Sequence, residues 1–314
     1  MRPTRTTNIQ HPTNPFQWRV FLFLYTAMKI HYCLLLLIPS VTCFGQQPPG
    51  TEIYLLDLSV NKSTITVTNP QNITHHAGYD NQPFFHPDKS LLYYTSANAE
   101  GKTDLVEYNY EAKSSRQLTN TPEREYSPTV TPDKKFISCI IQRDNGAQDL
   151  GKYPIEGGEP VVLIRTVIVG YHAWINSESL LLFVLGDTLT LRQYDLTTTK
   201  DRLIAKTIGR SLHKIPKTTS MSFVHKVSET EWLIKKINED GSLETITTTL
   251  PGREDLTWTP DGKIIMSDGK KLFYHQPGES TSWHEIEMPA MPSGTITRLS
   301  VSSKGNVLAL VVSE

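Results

Sequence analysis

The chain has 314 residues, a formal net charge of −1, 20% charged residues and 38% hydrophobic residues. This length fits two average domains or one large all-β domain, and the composition is that of a soluble globular protein. The nearly balanced charge argues against a nucleic-acid partner, which selects for a clustered basic face. Of the three cysteines, Cys33 and Cys43 lie in an apolar N-terminal region and only Cys139 lies in the body, so we expect no disulfide within the folded domain.

The first 45 residues are predicted to be a targeting segment. Lys29 forms a short basic region, residues 32–38 form an apolar run, and Gly45 is a small residue before a polar stretch. These features are typical of a secretory signal peptide with cleavage near Gly45, and they suggest that translation begins at Met28. We therefore expect an exported protein, periplasmic or secreted.

Two other interpretations of this segment stay open. A signal anchor over residues 20–38 would be the protein's contact with the membrane if it is not cleaved. It would bury Lys29 near the middle of the bilayer at a cost of about 2.5–3.5 kcal/mol. A lipoprotein would be modified at Cys43, but the residues before it, "SVT", lack the usual leucine three positions ahead.

A repeat with a period of 45 residues runs through the rest of the chain. The segment "QPFFHPDKSLLYYTS" from Gln82 is followed by "SPTVTPDKKFISCII" from Ser127, with both prolines, the aspartate and a lysine in register. Self-similarity at such a spacing indicates a repeat architecture. The "PD" pair predicts the turn between the first two strands of each unit, because proline presets φ and aspartate favours turns.

Each unit is expected to contain four β-strands. Short apolar runs rich in β-branched and aromatic residues, such as residues 90–96 and 103–111, are separated by Gly, Asn and Asp. A third, diverged unit places Ala173 and Glu178 where the second has Pro128 and Asp133, and "TPDGK" restores the signature in a fifth unit.

The last unit predicts how the architecture closes. It opens near Ile296 and contains only two strands before the sequence ends, whereas residues 51–74 resemble the last two strands of the first unit. We therefore expect an all-β fold, a six-bladed β-propeller of four-stranded antiparallel blades occupying residues 46–314. Residues 51–58 should pair with residues 307–312 to complete the last blade, because closure removes free sheet edges.

The motifs "SPTVTPDKKFISC" and "TPDGKIIM" resemble the TolB-like, WD-repeat-like β-propeller family. The resemblance extends over residues 51–314 and is most specific in units one, two and five; the usual glycine after "PD" is Lys89 and Lys134 here. TolB itself also has an N-terminal α/β domain, which we do not expect in this chain. The resemblance implies an exported six-bladed propeller of a kind most often used to bind proteins or peptides.

Motifs for catalysis are not found in the sequence. It has no G-x-S-x-G elbow, no H-E-x-x-H, no C-x-x-C and no glycine-rich phosphate loop, so we expect no catalytic residue and no cofactor. His75, His76 and His172 could contribute to a metal site in the funnel of a propeller. Adjacent residues on a strand point in opposite directions, however, so only one of His75 and His76 could bind a given ion. We expect no metal.

Candidate binding residues come from the segments that enter the inner strand of each blade, because these connections surround one mouth of the central channel. Loops on a rigid scaffold commonly carry function. A mixture of tyrosines, acids and one arginine suits a polar ligand with some flat surface. The candidates are Tyr79, Asp80, Glu125, Tyr126, Tyr171, His172, Arg210 and Asp255.

The leading hypothesis is a monomeric, non-catalytic binding module or scaffold for a protein or peptide in the cell envelope. The alternative is a metal-assisted lyase or hydrolase acting on an anionic sugar in the funnel. A purely structural partner of another protein is a third possibility. Stoichiometric metal in the purified protein would favour the alternative.

Overall fold

The computed structural model describes residues 49–61, 64–279, 282–291 and 293–313, and their regular secondary structure is β-strand throughout. The first blade consists of β3 (Asp80–Phe85), β4 (Leu91–Ala97), β5 (Thr103–Asn109) and β6 (Ser114–Gln117). The second consists of β7 (Arg124–Val130), β8 (Phe136–Gln142), β9 (Gln148–Pro154) and β10 (Val161–Ile164). The third consists of β11 (Val169–Trp174), β12 (Ser179–Val184), β13 (Thr190–Asp195) and β14 (Lys200–Lys206).

The remaining strands form three further blades. The fourth consists of β15 (Ile208–Lys214), β16 (Met221–Lys226), β17 (Trp232–Ile237) and β18 (Leu243–Thr248). The fifth consists of β19 (Leu256–Trp258), β20 (Ile264–Ser267), β21 (Leu272–His275) and β22 (His284–Ile286). The sixth consists of β23 (Ile296–Val301), β24 (Val307–Ser313), β1 (Thr51–Val60) and β2 (Ile65–Asn72).

The strands form six four-stranded antiparallel sheets. In each sheet the strands pair in sequence order from the innermost strand outward, except that β1 and β2 complete the sheet begun by β23 and β24. The structure thus confirms an all-β, six-bladed β-propeller.

Closure of the ring takes place where the two ends of the described chain meet. Strand β1 pairs antiparallel with β24 from Thr51↔Ser313 to Asp57↔Val307. Ile53 of β1 has no exposed surface and packs with Ala309 and Val311 against the first blade. The predicted pairing of the N-terminal strand with the last one is confirmed.

Hydrophobic clusters lie between neighbouring blades. One of them joins Tyr93 and Leu105 of the first blade to Ile137 and Cys139 of the second, all at most 1% exposed. Because neighbouring blades cover both faces of a blade, its strands bury side chains on both faces. They therefore do not show a strict alternation of buried and exposed residues. Cys139 is a buried free thiol.

The "PD" segments form the turns between the first and second strands. In the second blade the Thr131 hydroxyl donates a hydrogen bond to Asp133 (2.6 Å), and Lys134 adopts φ +59°. In the fifth blade Gly262 has φ +100°. In these two turns the residue after "PD" has a positive φ, a conformation that glycine adopts most readily and that Lys134 adopts in the second blade.

The targeting segment predicted for residues 1–45 lies outside the described residues and stays a prediction. Among the residues that the structure describes, none belongs to a helix long and apolar enough to cross a membrane.

Candidate functional site

Six side chains, one from each blade or from the connection that enters it, meet across the central channel. Five of them occupy equivalent positions of the repeat. Each of these five lies in the inner strand of the second to sixth blades or just before it. We call this set the channel layer. Its members are Tyr79, Tyr126, Tyr171, Arg210, Asp255 and Arg298.

Charged hydrogen bonds connect the three charged members of this layer and extend to one of its tyrosines. Arg210 donates to both carboxylate oxygens of Asp255, with Nε–Oδ1 and Nη2–Oδ2 distances of 3.1 and 2.6 Å. Arg298 donates to the same carboxylate at 3.4 Å and to the Tyr171 hydroxyl at 2.6 Å. Because Arg298 belongs to the sixth blade and Tyr171 to the third, this last bond joins opposite sides of the ring and spans the channel.

Tyrosines form the other half of the layer. The rings of Tyr79 and Tyr126 meet edge to face at a centroid distance of 6.3 Å, an arrangement that aromatic pairs favour. Burial raises the pKa of Tyr79, and the charges of Arg298 and Arg210 partly oppose this rise. The layer therefore combines an aromatic contact between Tyr79 and Tyr126 with a charged network.

A cavity of about 960 Å³ lies on one side of the layer, and we call it the funnel. Its wall consists of residues of all six inner strands, and it extends to the turns between first and second strands at Pro87, Pro132, Asn176, Lys217 and Ser303. Tyr171, Arg210, Asp255 and Arg298 line it at the layer, whereas Tyr79 and Tyr126 do not line it. The layer thus forms the floor of the funnel, and the "PD" turns lie at its mouth.

Two tryptophans are fixed in the wall by the same interaction in different blades. Trp174 donates its indole N–H to the Ser138 hydroxyl at 2.9 Å, and Trp258 donates to Ser222 at 2.9 Å. In each case the serine is on the second strand of the preceding blade. Since their polar atoms are satisfied outside the funnel, the tryptophans present mainly apolar surface to it.

Histidines in the wall are neutral near pH 7. Burial lowers the pKa of His172 to about 3 and that of His213 to about 4. A 2.7 Å contact joins His172 Nε2 to the Ser138 hydroxyl, and a 2.8 Å contact joins His213 Nε2 to the Ser211 hydroxyl. These rings therefore contribute packing and hydrogen bonds to the wall, not positive charge.

Asp80 and Glu125, which we also expected at the channel mouth, have no exposed surface. Glu125 accepts hydrogen bonds from Thr121 (2.7 Å) and Tyr153 (2.9 Å), and an Asp80 carboxylate oxygen lies 3.2 Å from His76 Nε2. Neighbouring residues of a strand point to opposite faces of its sheet, so Glu125 cannot face the channel together with Tyr126. Of the eight candidate binding residues, five meet in the channel layer: Tyr79, Tyr126, Tyr171, Arg210 and Asp255. His172 lies in the wall of the funnel. That these eight residues bind a ligand stays a prediction.

The buried carboxyl of Glu125 should make stability depend on pH. Burial raises its pKa above 4.5 and nearby Asp104 adds to the rise, so the folded state holds the proton more tightly than the unfolded state. The protonated Glu125 carboxyl contributes its full stabilisation at pH values below the ordinary glutamate pKa. This stabilisation is lost as the pH rises through the pKa of Glu125 in the folded state. We expect Glu125→Gln to raise the free energy of unfolding more at about pH 8 than at about pH 5, measured by urea denaturation.

The control for this prediction is Glu125→Ala. It removes the acceptor for two buried hydroxyls and should lower the free energy of unfolding by about 2–3 kcal/mol. A Glu125→Gln chain that is destabilised equally at both pH values would show that the negative charge itself is needed.

Among the described residues, no group of three or more His, Cys, Asp or Glu side chains is arranged to hold a metal ion. His75 and His76 are exposed, and His172 lies apart from them in the wall of the funnel.

Arg298 and the tryptophans of the wall were not among the residues selected from the sequence. Continuing the register beyond Asp255 leads to Arg298, 43 positions later, and Trp174 and Trp258 lie three positions after Tyr171 and Asp255. The register that leads to Arg298 was not recognised because the sequence of the sixth unit has diverged. The equivalence of Trp174 and Trp258 becomes visible only when the third and fifth units are aligned residue by residue.

No family model matches the sequence, and no curated protein matches it. Solved structures do match the fold. A putative TolB from Agrobacterium tumefaciens has a TM-score of 0.66 and 14% identity, covering 85% of this chain and 99% of that one. TolB from Acinetobacter baumannii has a TM-score of 0.53 and 12% identity, covering 84% of this chain and 64% of that one.

Two further structures have the same kind of fold with other functions in their descriptions. A chain of a nidogen–laminin complex has a TM-score of 0.59 and 11% identity, covering 84% of this chain and 98% of that one. An oligogalacturonate lyase in complex with manganese has 18% identity, covering 82% of this chain and 77% of that one, but its TM-score of 0.48 carries no argument about function. Together with the six closed blades, the similarity to the two TolB structures shows that the chain has the fold of the TolB-like β-propellers.

Proposed function

We propose that this chain is an exported, non-catalytic binding module, periplasmic or secreted, whose funnel holds a segment of a protein or peptide partner. The observation that carries this proposal is the funnel itself. It is about 960 Å³ in volume, bounded by the channel layer at one end and by the "PD" turns at the other.

The chemistry of the wall supports a peptide ligand. Apolar side chains such as Val130, Leu212 and Leu299 alternate with hydroxyl groups and the two fixed tryptophans. Binding pockets commonly combine such an apolar wall with a few fixed polar groups that set orientation. The channel layer supplies those groups at the floor, through Tyr171, Arg210 and Asp255 of the residues selected from the sequence and through Arg298.

The comparisons support the same class of function. One similar propeller comes from a nidogen–laminin complex, and two others are described as TolB proteins. Export rests on the predicted signal peptide and on the resemblance to TolB-like propellers. The sugar-lyase alternative has no metal-binding group in its favour among the described residues.

Filling the funnel tests this proposal. Thr129 and Ser300 line it on the inner strands of the second and sixth blades and are half-buried, so Thr129→Trp with Ser300→Trp should occupy the space without removing core contacts. The matched control is Thr66→Trp with Ser115→Trp, on exposed positions of the outer strands β2 and β6. Each chain, tagged and expressed in its own host, would be used to isolate envelope partners.

We expect the filled chain to lose its partner while it keeps a melting temperature close to that of the control. Retention of the same partner by the filled chain would contradict binding in the funnel. A filled chain that melts far below the control would be replaced by the single Ser300→Trp substitution, and the same comparison would apply.

A further inference from the structure

The mouth of the funnel carries positive charge. Lys134, Lys214 and Lys217 are exposed and line it. Lys134 forms an ion pair with Asp88, which does not line the funnel. Lys214 and Lys217 have no ion-pair partner in the part of the chain that the structure describes.

The floor of the funnel adds to this charge. Arg210 and Arg298 share the carboxylate of Asp255, and among the residues that the structure describes no other acidic side chain lines the funnel. Glu254 lies behind Arg210 and is also paired with Lys226 at 2.9 Å. Within the described part of the chain, the lining of the funnel therefore has five cationic side chains and one anionic side chain, although the whole chain has a net charge of −1.

The shape and the wall of the funnel favour an extended peptide over a sugar. Its inner strands are mostly six or seven residues long, so its depth is about 20 Å, which an extended segment of about six residues would span. Apart from Asp255, the described residues of the lining include only Gln82 and Asn176 as carboxylate or amide groups that could bind sugar hydroxyls. The apolar residues of the wall suit peptide side chains.

We propose that the partner segment held in the funnel is acidic, with carboxylates that pair with the lysines of the mouth and with the excess arginine charge at the floor. This inference rests on the proposed function and specifies the chemistry of the ligand. Complementary charge across an interface raises the association rate and excludes partners of the wrong charge. Neutral or basic segments would leave Lys214, Lys217 and the excess arginine charge at the floor without a carboxylate partner.

A set of synthetic peptides, added to the whole protein, tests the inference. The probe is a peptide of about ten residues with about four Glu, and its analogues carry Gln or Lys at those positions only. Dissociation constants would be measured by fluorescence anisotropy at low and moderate salt. We expect the Glu peptide to bind about tenfold more tightly than the Gln peptide, the Lys peptide to bind most weakly, and added salt to weaken the Glu peptide.

Two matched variants locate the charge. Lys134→Gln, Lys214→Gln and Lys217→Gln together should weaken the Glu peptide by about tenfold. The control replaces Lys113, Lys200 and Lys206, all exposed on the outer part of the blades, with Gln and should leave binding unchanged.

Equal binding of the Glu and Gln peptides would overturn the inference, as would equal losses in the two triple variants or no binding of the Glu peptide. The proposed function is tested separately. A native partner that is lost on filling the funnel but is insensitive to the mouth substitutions would leave the binding module intact and reject the acidic segment.

Discussion

Deletion of residues 46–74, which contain β1 and β2, is expected to abolish soluble, cooperatively folded protein. Without β1, strand β24 has no partner on one side, and its central residues Leu308, Ala309, Leu310 and Val311, which have no exposed surface, lose their cover. An exposed apolar edge strand is a template for aggregation. The measurement is the soluble yield, followed by thermal unfolding and size-exclusion chromatography.

A chain that begins at residue 46 is the control, because it keeps both strands and should fold as the full chain does. A second control supplies residues 46–74 in trans, which should restore part of the soluble yield if the strands are needed for pairing. A soluble truncated chain that unfolds cooperatively would contradict a stability that depends on closure of the ring.

Replacement of Trp258 by alanine is expected to lower the free energy of unfolding by about 3–5 kcal/mol. Trp258 is only 8% exposed, packs with Val224, Leu256 and Ile264 between the fourth and fifth blades, and donates to Ser222. The substitution therefore removes a large buried side chain and leaves a buried hydroxyl with weaker partners. Urea denaturation measures the change.

The equivalent Trp174 separates packing from hydrogen bonding. It makes the same indole–serine bond but is half-buried, so Trp174→Ala should cost less than Trp258→Ala. Replacement of either tryptophan by phenylalanine keeps most of the packing and removes the bond, at an expected cost of about 1 kcal/mol in both blades. If the two alanine variants lost equal free energy of unfolding, the extent of burial would not determine the cost of removing the indole.

Much of the fold could be predicted because repeated turns leave a strong mark on the sequence. The paired prolines near Pro83 and Pro128 recur at the separation of one blade, and each "PD" precedes an apolar second strand. The half-unit at the end of the chain and its counterpart after Thr51 predicted the closure, because a four-stranded blade needs both. Local turn chemistry and long-range pairing agree in these segments.

The site could be predicted only in part, since its contacts join residues that are distant in sequence. Tyr171 and Arg298 are 127 positions apart and meet only because the third and sixth blades face each other across the ring. Proximity to the inner strand selected Glu125 together with Tyr126, whereas the alternation of a strand separates their side chains. Of the lysines at the mouth, Lys134 and Lys217 lie in turns and Lys214 ends β15. Their local sequence indicates a turn or a strand end and gives no sign of the cavity beside it.

The central claim is that a partner segment lies inside the funnel, and site-specific photo-crosslinking tests it most directly. A photoreactive residue would replace Thr129 or Ser300 in the funnel, Ala77 in the connection that enters the first inner strand, or Thr66 on an outer strand. After irradiation in the native host, the account predicts a shared crosslinked partner from Thr129 and Ser300 and none from Thr66. Crosslinks to that partner from Ala77 or Thr66, with none from the two funnel positions, would contradict it.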